Sequence, residues 1–201
     1  MIKTVIFDWG GVLIEETTSG IINYCADKLK INPVNLKSAY RLFIKDLQTG
    51  IISEEQFWQK INSRIKLPHG LPVSLWDDAI KHVFKESREV FRILEMLKQN
   101  GYRTALLSNT ELPAIKYLSE KDYHKYFDEF ILSCNERCAK PNAGIYTLAL
   151  MRLNARAEET VFIDDNLDNV LEAKRCGMRV IWFYNASQLE TELYKLKIVM
   201  S

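Results

Sequence analysis

Residues 3–12 read KTVIFDWGGV. A short, unbroken apolar and β-branched run, Lys3–Phe7, stops at a carboxylate, Asp8, followed by Trp9 and two glycines, Gly10 and Gly11. A run without polar alternation suits a strand covered on both faces, the condition of a parallel sheet. Four more such runs follow: Thr104–Leu107 (TALL), Glu129–Leu132 (EFIL), Thr160–Ile163 (TVFI) and Arg179–Phe183 (RVIWF). Helical patterns lie between them. Ser87–Asn100 carries Val90, Phe91, Leu94 and Leu97 on one stripe, with Ser87 placed as N-cap and Asn100-Gly101 as a stop. Leu112–Glu120, Ala143–Leu153 and Leu167–Cys176 fill the other gaps. This alternation predicts a doubly wound α/β fold with a parallel sheet flanked by helices.

The first gap is too long for that scheme. A parallel crossover needs about a dozen residues or somewhat more, yet about a hundred separate the first run from the second. The helix from Ser87 suffices for the crossover, so the stretch from Glu15 to Lys85 is surplus. It is itself helical in pattern. Ser53-Glu54-Glu55-Gln56 is a capping box opening a helix through Phe57, Ile61 and Ile65. Ile21, Tyr24, Cys25 and Leu29 share a second helix face, Leu42, Phe43 and Leu47 a third, and Leu75, Ala79, Ile80 and Val83 a fourth. The expected organisation is a core of residues 1–14 and 86–201 carrying an inserted four-helix cap, residues 15–85.

Bulk properties narrow the function. The 201 residues carry a net charge of +1, so no global field recruits nucleic acid or an acidic membrane. No stretch approaches the roughly 20 apolar residues of a transmembrane helix, and the apolar N-terminal run is too short for a secretory signal. Cys25, Cys134, Cys138 and Cys176 are scattered without zinc or redox spacing and read as free thiols of a reducing compartment, the cytoplasm.

Polar residues gather where ligands of open α/β sheets bind, beyond the carboxyl ends of strands. Asp8 follows the first run, Ser108 and Asn109 the second, and Asp164 and Asp165 the fourth. Lys140 lies in the loop after the third, before Pro141. Carboxylates suit a hard cation, while a hydroxyl, an amide and an ammonium suit phosphoryl oxygens. His69, His82 and His124 make no ligand spacing and read as structural. Trp58 and Trp76 read as cap packing, with either able to wall a pocket, and Asp168 and Asn169 as loop supports.

Asp8-Trp9-Gly10-Gly11-Val12, Ser108-Asn109, Lys140-Pro141 and Asp164-Asp165 resemble the four ordered motifs of the haloacid dehalogenase (HAD) superfamily of hydrolases. The resemblance covers the whole chain, including the position of the cap, and implies a Rossmann-like core and phosphatase activity. It implies Asp8 as nucleophile, forming an aspartyl-phosphate. It implies Mg²⁺ held by Asp8, the Gly10 carbonyl and Asp165, with Asp164 as ligand or support. Ser108, Asn109 and backbone N–H groups near Trp9 and Gly10 would bind phosphate oxygens. Lys140 would neutralise charge and keep Asp8 ionised. The implied partner is a small phosphorylated metabolite.

Gly10 departs from the pattern, because most family phosphatases carry a second Asp there as general acid. Three readings stay open. The glycine resembles that of the α-glucose-1-phosphate phosphatase branch, whose anomeric phosphate, like an acyl phosphate, leaves with less help; this favours sugar phosphates. A flap or cap side chain, with Glu15, Glu16 and His69 as candidates, could donate the proton instead. Or the chain is an inactive phosphometabolite-binding pseudoenzyme. Dehalogenase chemistry ranks low because Asp164-Asp165 argues for a metal, and mutase chemistry because it needs the missing acid.

Overall fold

The computed structural model describes residues 1–15, 17–68, 70–72 and 75–198. Five strands, β1 (Thr4–Phe7), β2 (Arg103–Ser108), β3 (Glu129–Leu132), β4 (Thr160–Asp164) and β5 (Arg179–Trp182), form one parallel sheet in the order β3-β2-β1-β4-β5. Val5 of β1 lies beside Thr104 on one side and Val161 on the other. Each expected run is a strand, and β2 and β4 extend further than expected, to Ser108 and Asp164. The strand order reverses beside β1, which creates the crevice where such sheets bind ligands.

Burial on both faces explains the unbroken apolar runs. Val5, Phe7, Leu106, Val161 and Ile163 point into one apolar cluster, and Ile6, Ala105, Leu107 and Phe162 into another. Between β1 and β2 run α1 (Thr18–Leu29), α2 (Pro33–Gln48), α3 (Glu54–Ile65), α4 (Leu75–Val83) and α5 (Arg88–Gln99). The expected capping box opens α3: Gln56 N donates to Ser53 Oγ at 3.2 Å, and Ser53 N to Gln56 Oε1 at 2.9 Å. Ser87 stands at the N-cap of α5, but its side chain makes no capping bond. Its backbone N–H instead donates to Leu13 O at 2.8 Å.

That bond belongs to a two-chain neck. Glu15 N donates to Lys85 O at 3.0 Å, and Ile14 bridges Glu86 in antiparallel fashion. The segment carrying α1–α4 thus leaves and returns at one place. Its apolar faces nevertheless join the same cluster as the sheet, through residues such as Ile21, Phe57, Trp76 and Ile80.

The rest of the core adds α6 (Leu112–Ser119), the short α7 (Ser133–Glu136), α8 (Ala143–Arg152), α9 (Leu167–Arg175) and α10 (Ala186–Lys195). The sequence reading did not foresee α10. Its signals are an Asn185 cap, accepting from Gln188 N at 2.9 Å, and Leu189 and Leu193 four apart on its buried face. All four cysteines are free, and among the described residues no helix is long and apolar enough to cross a membrane.

Candidate active site

Asp8 directly follows β1 and Asp164 ends β4, so neighbouring strands set the two carboxylates side by side. Both are buried. Lys140 enters from the loop before α8, its Nζ 2.7 Å from Asp8 Oδ1 and 2.7 Å from Asp164 Oδ2. Asn109 fixes that loop through two bonds: its Nδ2 donates to Lys140 O at 2.9 Å, and Lys140 N donates to its Oδ1 at 2.8 Å. The Asn109 amide thus braces the Lys140 backbone, and Asn109 also lines the cavity over the site. Asp164 also accepts from Asn166 N at 2.8 Å and from Asn169 Nδ2 at 3.0 Å. Tyr146 Oη donates to the Asn169 carbonyl at 3.0 Å, tying this support to α8.

The turn after Asp8 is shaped by what it must admit. Trp9 N donates to Asp8 Oδ1 at 2.7 Å, orienting the carboxylate. The buried Trp9 ring packs edge-on against Phe84 at 5.1 Å and obliquely against Tyr117 at 6.2 Å. Gly11 has φ +81°, and a Cβ there would collide with the Asp165 carboxylate. Only glycine combines that backbone with so close a carboxylate. Oxygens of Asp8, Asp164 and Asp165 lie within 4.8 Å of one another.

Two buried carboxylates share one ammonium, and the exposed Asp165 adds a third negative charge at their edge. Burial pushes the Asp8 carboxyl up to about 8, with the Asp164 charge adding to the effect. Lys140 and the Trp9 N–H oppose it and are outweighed. Burial also works against the Lys140 charge, but Asp164 and Asp8 override it and hold the ammonium up. Lys140 thus pulls Asp8 in the expected direction, against its burial and the Asp164 charge. A second positive charge is what the cluster lacks, and an all-oxygen donor set fits a hard divalent cation.

A cavity of about 480 Å³ opens over the cluster, reached by Asp8, Trp9, Gly10, Ser108, Asn109, Lys140 and Asp165. Of the sequence-predicted residues only Asp164 lies behind its wall, under Lys140. The α1–α4 segment contributes Thr17, Thr18, Tyr40, Gln48 and Trp76 to the far side. Trp76 therefore walls the pocket, whereas Trp58 packs beneath it at 5.9 Å. His82 packs on Tyr24 at 4.9 Å and His124 on Phe130 at 5.0 Å, away from this cavity. Glu15 is exposed and does not line the cavity, while Glu16 and His69 lie outside the described residues.

Sequence reasoning missed Glu111, a buried carboxyl in the cavity wall that accepts from Trp76 Nε1 at 2.6 Å. Its available signal was position, three residues beyond Ser108 and directly before a helix.

A buried carboxylate, a paired lysine and further acids at the reversal of a parallel sheet, beneath helices that wall a pocket, make a candidate catalytic site on a doubly wound α/β fold. The family model for haloacid dehalogenase-like hydrolases matches residues 2–177, and the chain belongs to that family. It is 27% identical over 177 residues to "Sesquiterpene phosphatase astK" of Aspergillus oryzae, covering 88% of this chain and 87% of that protein. It is 33% identical over 101 residues to "Phosphorylated carbohydrates phosphatase" of Thermotoga maritima, covering 50% of this chain and 47% of that one. A HAD family enzyme of Bacteroides thetaiotaomicron, solved in complex with magnesium and inorganic phosphate, superposes with TM-score 0.74 at 23% identity, over 90% of this chain and 93% of that one. At that identity the likeness establishes the fold. The chain is a HAD-family hydrolase with phosphatase homologues.

Proposed function

We propose that the chain is a Mg²⁺-dependent phosphatase of a small phosphorylated metabolite, with sugar phosphates as the favoured class, acting in the cytoplasm. The observation that carries this reading is the convergence of Asp8, Lys140, Asp164 and Asp165 under a cavity large enough for such a molecule. Polar Thr17, Thr18 and Gln48 beside aromatic Tyr40 and Trp76 suit a hydroxylated substrate with apolar ring faces. The two phosphatase relatives act, by their names, on a terpene and on phosphorylated carbohydrates, so both belong in a substrate panel.

Asp8, the Gly10 carbonyl and Asp165 would hold the ion. Asp164 already serves Lys140, Asn166 and Asn169, which supports a positioning role for it. When bound, Mg²⁺ supplies the positive charge that offsets repulsion between carboxylate and phosphate. Asp8 attacks phosphorus and forms an aspartyl-phosphate, which water then hydrolyses. Ser108 and the backbone after Asp8 bind phosphoryl oxygens, and Lys140 neutralises charge that builds during transfer. The neck at Ile14 and Glu86 supports a division into a core, residues 1–14 and 86–201, and a helical cap, residues 15–85, that excludes water from the site.

The test is phosphate release with Mg²⁺ over sugar, prenyl, nucleotide and acyl phosphates, with Asp8→Asn run beside wild type. Activity that the substitution abolishes is the expected result. Equal traces from both proteins would favour the rival reading that the absence of an acid at Gly10 suggests, a phosphometabolite-binding pseudoenzyme.

A further inference from the structure

We infer that Glu111 is the proton donor and acceptor that stands in for the missing acid at Gly10. The inference rests on the phosphatase reading above. A Cβ on Gly10 would meet nothing closer than Thr17 Oγ1 at 3.8 Å, so the place a side chain at that position would take is open space into which another element can deliver an acid. Among the described residues lining the cavity, the titratable side chains are Asp8, Tyr40, Glu111, Lys140 and Asp165. Asp8 is the nucleophile, Lys140 is ion-paired to it, and Asp165 belongs to the metal set. Tyr40 stacks on Trp76 at 5.8 Å, and a phenol with an ordinary pKa of about 10 is poorly matched to proton transfer near neutrality. Glu111 remains.

Its surroundings suit the task. The side chain is only 6% exposed and is held by neutral donors, Trp76 Nε1 and the Gln48 side chain. Burial raises its carboxyl above the usual glutamate range, and the Glu54 charge on α3 pushes the same way. Cys134, on α7, is the other titratable neighbour, and the Asp77 carboxylate at the α4–α6 contact is already paired with Lys81 and Lys116. A carboxyl whose affinity for a proton is raised by burial is suited to hand one to a substrate oxygen. Both donors to Glu111 come from the α1–α4 segment, so the acid is oriented only when that segment covers the site.

The steps balance. As the bond from Asp8 to phosphorus forms and the bond to the leaving oxygen breaks, that oxygen takes its electron pair and the Glu111 proton. Water then attacks phosphorus, its proton returns to Glu111, and the Asp8–phosphorus bond breaks to restore the carboxylate.

The experiment compares wild type and Glu111→Gln on a hexose phosphate esterified at its primary hydroxyl, and on acetyl phosphate, whose leaving group needs no proton. Glutamine keeps the acceptor for Trp76 Nε1. In the variant, kcat/KM on the hexose phosphate should fall about 10²–10⁴-fold, with a much smaller loss on acetyl phosphate. Labelled phosphate from acetyl phosphate should accumulate on Asp8, because water attack has lost its base, and Glu111→Asp should recover part of the hexose phosphate rate. Equal losses on both substrates without a trapped phosphoenzyme would overturn the assignment. If Glu111→Gln does not fold, the wild-type pH profile decides. A basic limb in kcat/KM for the hexose phosphate, absent for acetyl phosphate, supports Glu111, and a limb common to both overturns it. Phosphate release unaffected by Asp8→Asn removes the phosphatase reading itself, and this assignment with it.

Discussion

Gly10 and Gly11 are neighbours of identical chemistry held to opposite requirements. Gly11→Ala forces a Cβ onto the Asp165 carboxylate in a left-handed backbone. It should cost at least about 1–2 kcal/mol in urea unfolding, the penalty of that backbone alone, and displace Asp165 enough to weaken Mg²⁺ binding by calorimetry. Gly10→Asp meets open space and should fold with stability changed by no more than about 1 kcal/mol. It should also raise turnover of alkyl phosphates, by less than the about 10²–10⁴-fold of a full acid because Glu111 already contributes. Glu111 leaves a signature in stability as well. Its folded carboxyl holds a proton more tightly than the unfolded chain does, since burial raises it. That stabilisation is complete below the ordinary glutamate range and fades as pH rises through the folded value. The Tm of Glu111→Gln, measured relative to wild type, should therefore climb as the pH rises above the ordinary glutamate range. Asp8 and Asp165 could be read from sequence because each directly follows a strand, and Lys140 because it stands before Pro141 and a helix. Glu111 could not, because its meaning depends on Trp76, which is distant in the chain and reaches it only through folding.

Elements were legible in proportion to how locally they are determined. The strands announce themselves because both faces are buried, and α3 because its capping box lies within four consecutive residues. Ser53→Ala removes the hydroxyl that accepts from Gln56 N and should lower stability by about 0.5–2 kcal/mol in denaturant titrations. It should leave the sheet-borne carboxylates undisturbed. Ser87 shows the limit of such reading: the residue type is right for a cap, yet its backbone is claimed by Leu13 from across the neck. In α10, a short pattern of Leu189 and Leu193 between polar residues is too sparse to stand out until α5 packs beside it.

At the scale of the whole molecule, five strands could be counted from the sequence but not ordered. Their order is what sets Asp8 against Asp164, and the carboxylates would not share an ion if β4 lay elsewhere. Because the ion would bind the folded arrangement and not the open chain, Mg²⁺ should raise Tm, by an amount equivalent to about 2.7 kcal/mol at a hundredfold excess over Kd. Chelation should reverse the shift, and Asp165→Asn should abolish most of it, all readable by scanning fluorimetry.

The paired crossing at Glu15 and Lys85 makes the α1–α4 excursion a detachable module in the topological sense. A descendant could lengthen, shorten or exchange that roof without rethreading a single strand, so the taste of the enzyme can drift in evolution while its reactive floor stays put.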